Sequence, residues 1–184
     1  MGRLSKGIEV NWLGEIVSRG IRREDSVLDL GCGIMDATGR LSCKSHVGVD
    51  CFQPYLDRIG MPFVYGTLPE AAAVFAAGSF DVVLLLDIVE HLEKEKAILL
   101  IAEAERIAAR EVIVFTPNGN CPQRGYDAWE LGDNAAQAHR CEFTKDELKQ
   151  LGYECGIYSN GSTHSGPVES ILGIKQIKCP SIPV

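Results

Sequence analysis

Val27-Leu-Asp-Leu-Gly-Cys-Gly33 is the first place where this sequence offers chemistry. An apolar strand ends at Gly31, and Gly31 and Gly33 lack side chains that would hold a ligand away from the backbone. Alone, a Gly-x-Gly of this kind is a tight turn. A second element changes its meaning. Val47-Gly-Val-Asp50 reads as a short strand, and Asp50 lies about twenty residues after Gly31. At that spacing a strand-end carboxylate accepts hydrogen bonds from both hydroxyls of a ribose. A dinucleotide fingerprint, G-x-G-x-x-G, requires glycine at position 36, where this chain has Asp36. An acidic side chain there also opposes a pyrophosphate. Asp29, two residues before Gly31, is instead placed to face the cationic part of a methionine-like ligand.

These residues need a frame, and the rest of the chain supplies alternating strand-like and helical runs. That alternation predicts a largely parallel sheet covered by helices. Ile8 to Val17 has helical spacing, Ser26 to Leu30 is the first strand, and a helix is expected near Asp36. Val47 to Val49 and Pro62 to Tyr65 are short strands on either side of a short helix, Pro54 to Ile59. Glu70 to Ala77 is rich in helix-forming alanine. Phe80 to Leu86 is apolar on both faces, the mark of a central strand. Lys94 to Ala109 follows as a helix with Ile98, Ile101, Ala104 and Ala108 on its apolar face, and then Val112 to Phe115 as a strand. Asn118 to Cys141 is long, polar and without periodicity, as functional loops are. Thr144 with Glu147 predicts a capping box, and Gly152 a helix end. Tyr153 to Tyr158 and Ile171 to Ile177 are the last strands.

Composition narrows the function. The 184 residues fit one domain, 1–184, and 46% hydrophobic with 23% charged residues is an ordinary globular balance. A net charge of -7 without a basic cluster counts against a nucleic-acid partner. No apolar run reaches the roughly eighteen residues of a membrane span. The N-terminus has no apolar stretch behind its basic residues, and Lys6 breaks the myristoylation pattern. A cytoplasmic location is expected, with no membrane association. Seven cysteines without a Cys-x-x-Cys pair favour free thiols, and no metal site is expected.

Val27 to Gly33 resembles motif I of class I S-adenosylmethionine-dependent methyltransferases, and Asp50 matches their ribose-binding acid. Ser79 to Leu92, S-F-D-V-V-L-L-L-D-I-V-E-H-L, is similar to their fourth-strand motif, with the D-x-x-E-H of small-molecule members of the ubiquinone-biosynthesis type. Glu111 to Gly119 resembles their fifth-strand segment. The resemblance runs from about Ser26 to Tyr158. It implies an α/β, Rossmann-like three-layer sandwich whose mostly parallel seven-stranded sheet carries an antiparallel strand near the C-terminus. It implies S-adenosylmethionine as cofactor: Asp29, Gly31, Cys32 and Gly33 around the methionine part, Asp50 on the ribose, Cys51 and Phe52 near the adenine, and Asp87 and Ile88 beneath the sulfonium. Two positions depart from the pattern. Met35 stands where a third glycine is common, and Gly66-Thr-Leu-Pro69 offers Thr67 and the Leu68 N–H where an aspartate often meets the adenine.

Methyl transfer to a hydroxyl also needs a base, and histidine titrates in the right range. His91 follows the fourth strand and is the first candidate; His139, before the Thr144 helix, is the second. Glu90, Asn118 and Tyr126 are the candidate acceptor-binding residues. The acceptor is expected to be a small molecule, its identity and the oligomeric state being left open. Two other readings compete: a methyltransferase-like domain that binds without catalysis, and an NAD-type oxidoreductase, against which Asp36 and the fourth-strand motif count.

Overall fold

The computed structural model describes residues 12–125, 127, 129–163 and 166–177. Seven strands form one sheet: β1 (Ser26–Leu30), β2 (Ser45–Asp50), β3 (Phe63–Tyr65), β4 (Phe80–Leu86), β5 (Ala108–Pro117), β6 (Glu154–Thr163) and β7 (Gly166–Gln176). Their order across the sheet is β3-β2-β1-β4-β5-β7-β6. The first five run parallel, and β7 lies antiparallel between β5 and β6. The chain thus has an α/β Rossmann-like architecture, with antiparallel strands at its C-terminal edge. The strand order reverses between β1 and β4, which is where such sheets bind ligands.

Alternation along the central strands builds two cores. Leu28, Leu30, Val83, Leu85, Val112 and Val114 point to one face, against α3 (Lys94–Ile107). Val27, Val82, Leu84, Ile113 and Phe115 point to the other, where Val17 of α1 (Trp12–Ser18) packs. Two short helices, α2 (Gln53–Leu56) and α4 (Lys145–Gln150), complete the described set. The expected capping box holds: Thr144 accepts from the Glu147 N–H, and Glu147 accepts from the Thr144 N–H. Gly152 ends the helix at a φ of 91°.

Some elements differ from expectation. Residues 31–40 form successive turns, not a helix at Asp36. Gly31, Gly33 and Met35 all adopt positive φ there, which interrupts helical dihedrals ahead of Asp36, and a single helix-type bond follows, from the Gly39 N–H to the Met35 carbonyl. Glu70–Val74 is a 3₁₀ helix. The apolar face of α3 is Ala97, Leu100, Ile101, Ala104 and Ile107; Ile98 is 42% exposed, and Ala108 already begins β5. Of the predicted N-terminal helix, Trp12–Ser18 is described and Ile8 lies outside the described residues. Among the described residues, no helix is long and apolar enough to cross a membrane.

Candidate active site

Beyond the carboxyl ends of β1, β2 and β4 lies a cleft of about 540 Å³. Gly31 and Gly33 form its back wall, at φ of 80° and 53°. The turn is tied to β2, because the Gly31 and Cys32 N–H groups both donate to the Val49 carbonyl. A Cβ on Gly31 would lie 2.4 Å from Cγ1 of Ile88, so absence of a side chain lets the β4 loop close onto the turn. Asp50 reaches across from β2 and accepts from the Gly33 N–H (3.0 Å) and the Phe52 N–H (2.9 Å). A carboxylate offers about four lone-pair directions, so acceptor capacity remains for a ligand diol. Burial pushes the Asp50 carboxyl up, against the pull of the Phe52, Gly33 and Cys51 backbone N–H groups. Asp29 is buried, lines the cleft and accepts from the Thr38 hydroxyl at 2.6 Å.

The end of β4 makes the other wall. Asp87 has a φ of 50°, a left-handed conformation that aspartate adopts more readily than most residues, and its N–H donates to the Phe115 carbonyl. Its carboxyl opens to the water of the cleft but is surrounded by protein at longer range. That loss of bulk solvent raises its pKa to about 7. Glu90, in the 3₁₀ turn Val89–His91, is buried and accepts from the Thr116 hydroxyl at 3.0 Å. Burial first, and the neighbouring Asp87 charge second, push Glu90 well above the ordinary carboxylate range. His91 is held neutral: burial and the neighbouring His139 bring its pKa down to about 4. Burial lowers His139 too, against the Cys121 carbonyl that faces its Nδ1.

The long loop folds back to complete this wall. The Glu90 carbonyl accepts from the Arg140 and Cys141 N–H groups, which brings the His139 ring within 4.8 Å of the His91 ring in an edge-to-face arrangement. Cys121, Gln123, Asn134 and Gln137 line the cleft from the same loop. Nearer β2 the loop carries Trp129 over Gly33, where a glycine Cβ would lie 3.0 Å from the indole. Asp127 fixes that segment. It is buried and accepts from the Tyr55 hydroxyl at 2.6 Å, the Trp129 N–H at 3.0 Å and the Leu131 N–H.

Most of the predicted residues converge. Asp29, Gly31, Cys32, Gly33, Asp50, Cys51, Asp87, Ile88, Glu90, His91 and His139 all line the main cleft. Thr67 and Leu68 line an adjoining chamber of about 230 Å³, which shares Gly31, Asp50, Cys51, Ile88 and His91 with it and adds Lys96 and Arg140. Two predicted residues are not brought to the cleft. Phe52 lines neither space; its ring packs edge-on against Tyr55 at 4.7 Å. Asn118 is a structural linker, donating to Glu169 and accepting from the Lys145 N–H, because it pairs with Phe143 at the end of β5. Tyr126 lies outside the described residues. Sequence reading missed Trp129, Asp127 and Tyr55, which no local pattern marks as partners.

No protein-family model matches the chain, and no curated protein matches it by sequence. Solved structures do match its fold. A SAM-dependent methyltransferase from Archaeoglobus fulgidus is 18% identical at a TM-score of 0.58, over 88% of this chain and 94% of that one. The 1,6-didemethyltoxoflavin-N1-methyltransferase of Burkholderia thailandensis, solved with 1,6-didemethyltoxoflavin and S-adenosylhomocysteine, is 17% identical at a TM-score of 0.66, over 94% and 80%. Magnesium protoporphyrin IX methyltransferase from Synechocystis PCC 6803, with bound SAM, is 18% identical at 0.58, over 89% and 76%. At these identities the likeness defines the fold of this chain.

Proposed function

We propose that the chain binds S-adenosylmethionine in this cleft and transfers its methyl group to a small-molecule acceptor, as enzymes of the ubiquinone-biosynthesis type do. The charge of the cleft carries the reading. Asp29, Asp36 and Asp50 line it beside the proton-holding pair Asp87 and Glu90, and no lysine or arginine does among the described residues. Such a wall repels the pyrophosphate of a dinucleotide and attracts a ligand with sulfonium and ammonium groups. The solved neighbours with bound SAM and S-adenosylhomocysteine agree with it.

Asp50 holds the ribose. Asp29, Gly31, Cys32 and Gly33 face the methionine part, and Thr67 and the Leu68 N–H serve the adenine in the adjoining chamber. When bound, S-adenosylmethionine supplies a methyl group already activated by a positive sulfur. The residues then have to align an acceptor atom at about 3–3.5 Å and keep water away. Trp129 and the returning loop cover the cleft for that purpose. His91 and His139, unprotonated at neutral pH, stand with Glu90 at the acceptor end, where an imidazole lone pair can accept a proton.

Calorimetric titration with S-adenosylhomocysteine tests the reading. Saturable binding is expected for the wild type. Losing hydrogen bonds to a charged group, at about 1.5–3 kcal/mol, makes Asp50→Ala about 10- to 100-fold weaker. Asp50→Asn, which keeps one acceptor oxygen, should fall between. A folded wild type that binds nothing at millimolar ligand would overturn the methyltransferase reading and favour a non-catalytic domain.

A further inference from the structure

We infer that Glu90, His91 and His139 form a binding site for a first-row divalent cation at the acceptor end of the cleft. One donor atom from each residue lies within 4.8 Å of the other two. A zinc-like ion with bonds of about 2.0–2.2 Å needs its donors roughly 3.4 Å apart, so the three donors have to draw together on binding, with a small shift of the segment that carries the half-buried His139.

Each ligand is already oriented from outside. Nδ1 of His139 faces the Cys121 carbonyl, which fixes the proton on Nδ1 and leaves Nε2 as the lone-pair nitrogen. Glu90 is steadied by the Thr116 hydroxyl on one oxygen, and its backbone carbonyl anchors the segment that carries His139. His91 is 8% exposed, and its Nδ1 has no hydrogen-bond partner among the described residues. Buried polar nitrogens are almost always satisfied, so an unpartnered one in a cluster of donors points to a missing ligand. Charge points the same way. Glu90 is buried beside Asp87, and neither has an ion-pair partner among the described residues. Neighbouring carboxylates without a cationic partner draw a cation.

Two imidazoles and one carboxylate suit zinc, cobalt, manganese or iron; magnesium and calcium prefer all-oxygen shells. Three protein ligands leave positions open toward the cleft, and an oxygen of the acceptor fits there. The site thereby selects an acceptor bearing a hydroxyl or carbonyl oxygen, and that part rests on the methyltransferase reading. His91 and His139 then act as metal ligands, with the cation in place of a histidine base.

Full-length protein, stripped with chelator, is titrated with Co²⁺ and followed by visible absorption. One saturable equivalent with ligand-field bands and no intense thiolate charge-transfer band is expected. His139→Ala, His91→Ala and Glu90→Gln should each weaken binding at least tenfold. His139→Ala is decisive should a variant at buried His91 or Glu90 misfold, since its side chain lies on a partly exposed loop. Absence of saturable binding, unchanged affinity in His139→Ala, or thiolate bands that assign the metal to cysteines would each overturn the site. S-adenosylhomocysteine titration of the same samples separates the two proposals. Cobalt binding without nucleoside binding refutes the methyltransferase reading alone, and the reverse refutes the cation site alone.

Discussion

Replacing Gly31 by alanine tests whether the turn at β1 is shaped for packing as well as for ligand approach. The new Cβ would sit 2.4, 2.6 and 2.7 Å from Cγ1, Cδ1 and Cβ of Ile88, at a φ of 80°. Left-handed backbone costs a non-glycine residue about 1–2 kcal/mol. Overpacking adds about 1–3 kcal/mol, so Gly31→Ala should destabilise by about 2–5 kcal/mol. Ile88→Gly removes all three clashing atoms but leaves φ unchanged. Urea unfolding of the wild type, both single variants and Gly31→Ala/Ile88→Gly then forms a cycle. The double variant should be more stable than the sum of the singles predicts, by the overpacking part of about 1–3 kcal/mol. Additivity within about 0.5 kcal/mol would refute the contact between Gly31 and Ile88. A Gly31→Ala cost below about 1 kcal/mol would refute the backbone conformation as well.

Two further predictions concern the loop and the C-terminal helix. Asp127→Ala strips the acceptor from the Tyr55 hydroxyl and from the Trp129 N–H, and should cost about 1–3 kcal/mol in urea unfolding, with red-shifted Trp129 fluorescence read in a Trp12→Phe background; unchanged fluorescence would mean that Asp127 does not hold the indole. The Lys94 ammonium at 2.8 Å, and then the Thr144 groups, hold the Glu147 carboxyl below its ordinary range despite some burial. A depressed carboxyl stabilises the fold above its unfolded pKa, and the contribution is lost as pH falls through the folded value. Glu147→Gln should therefore be less stable than the wild type at pH 7 and equal to it in acid, as thermal melts across that range will read; a gap that persists in acid would mean that the charge is not what matters.

The parts legible in the sequence are those set by local chemistry. The limits of β1 and β4 follow from apolar runs cut off by Gly31 and Asp87, and the capping box from Thr144 and Glu147. The position of Asp50 was legible from spacing alone, because the parallel pairing of β1 with β2 fixes where the second strand must end. Trp129 was not, since its position depends on a hydrogen bond between Tyr55 and Asp127, 72 residues apart. No periodicity records such a pairing. The pairing of His91 with His139 was half legible. Side-chain chemistry marks both residues in the sequence, but the backbone bonds from Arg140 and Cys141 to Glu90 that bring them together leave no sequence signal. Ile98 failed for another reason: helical spacing defines a face only to within a residue, and tertiary contact with β4 and β5 selects Ala97 and Leu100.

A net charge of -7 counts against a nucleic-acid partner. Its distribution in the fold says more. The acids of the cleft are held differently at its two ends. At the β1 and β2 end, Asp29 accepts from the Thr38 hydroxyl and Asp50 from the Gly33 and Phe52 N–H groups, whose pull opposes the rise that burial imposes on Asp50. At the β4 end, lost solvent raises Asp87 to about 7 and raises Glu90 well above the ordinary range, with the Asp87 charge pushing Glu90 further and the Glu90 hydrogen bond pulling Asp87 back, so this end holds a proton near neutral pH in the absence of a cation. One end thus calls for a fixed positive ligand, and the other for a neutral group or a metal ion. A methyl donor carrying sulfonium and ammonium groups answers the first demand, and an oxygen-bearing acceptor at a cation answers the second. Because the fixed charges at the two ends rest on different elements, cofactor affinity and metal affinity should vary independently when one end is mutated.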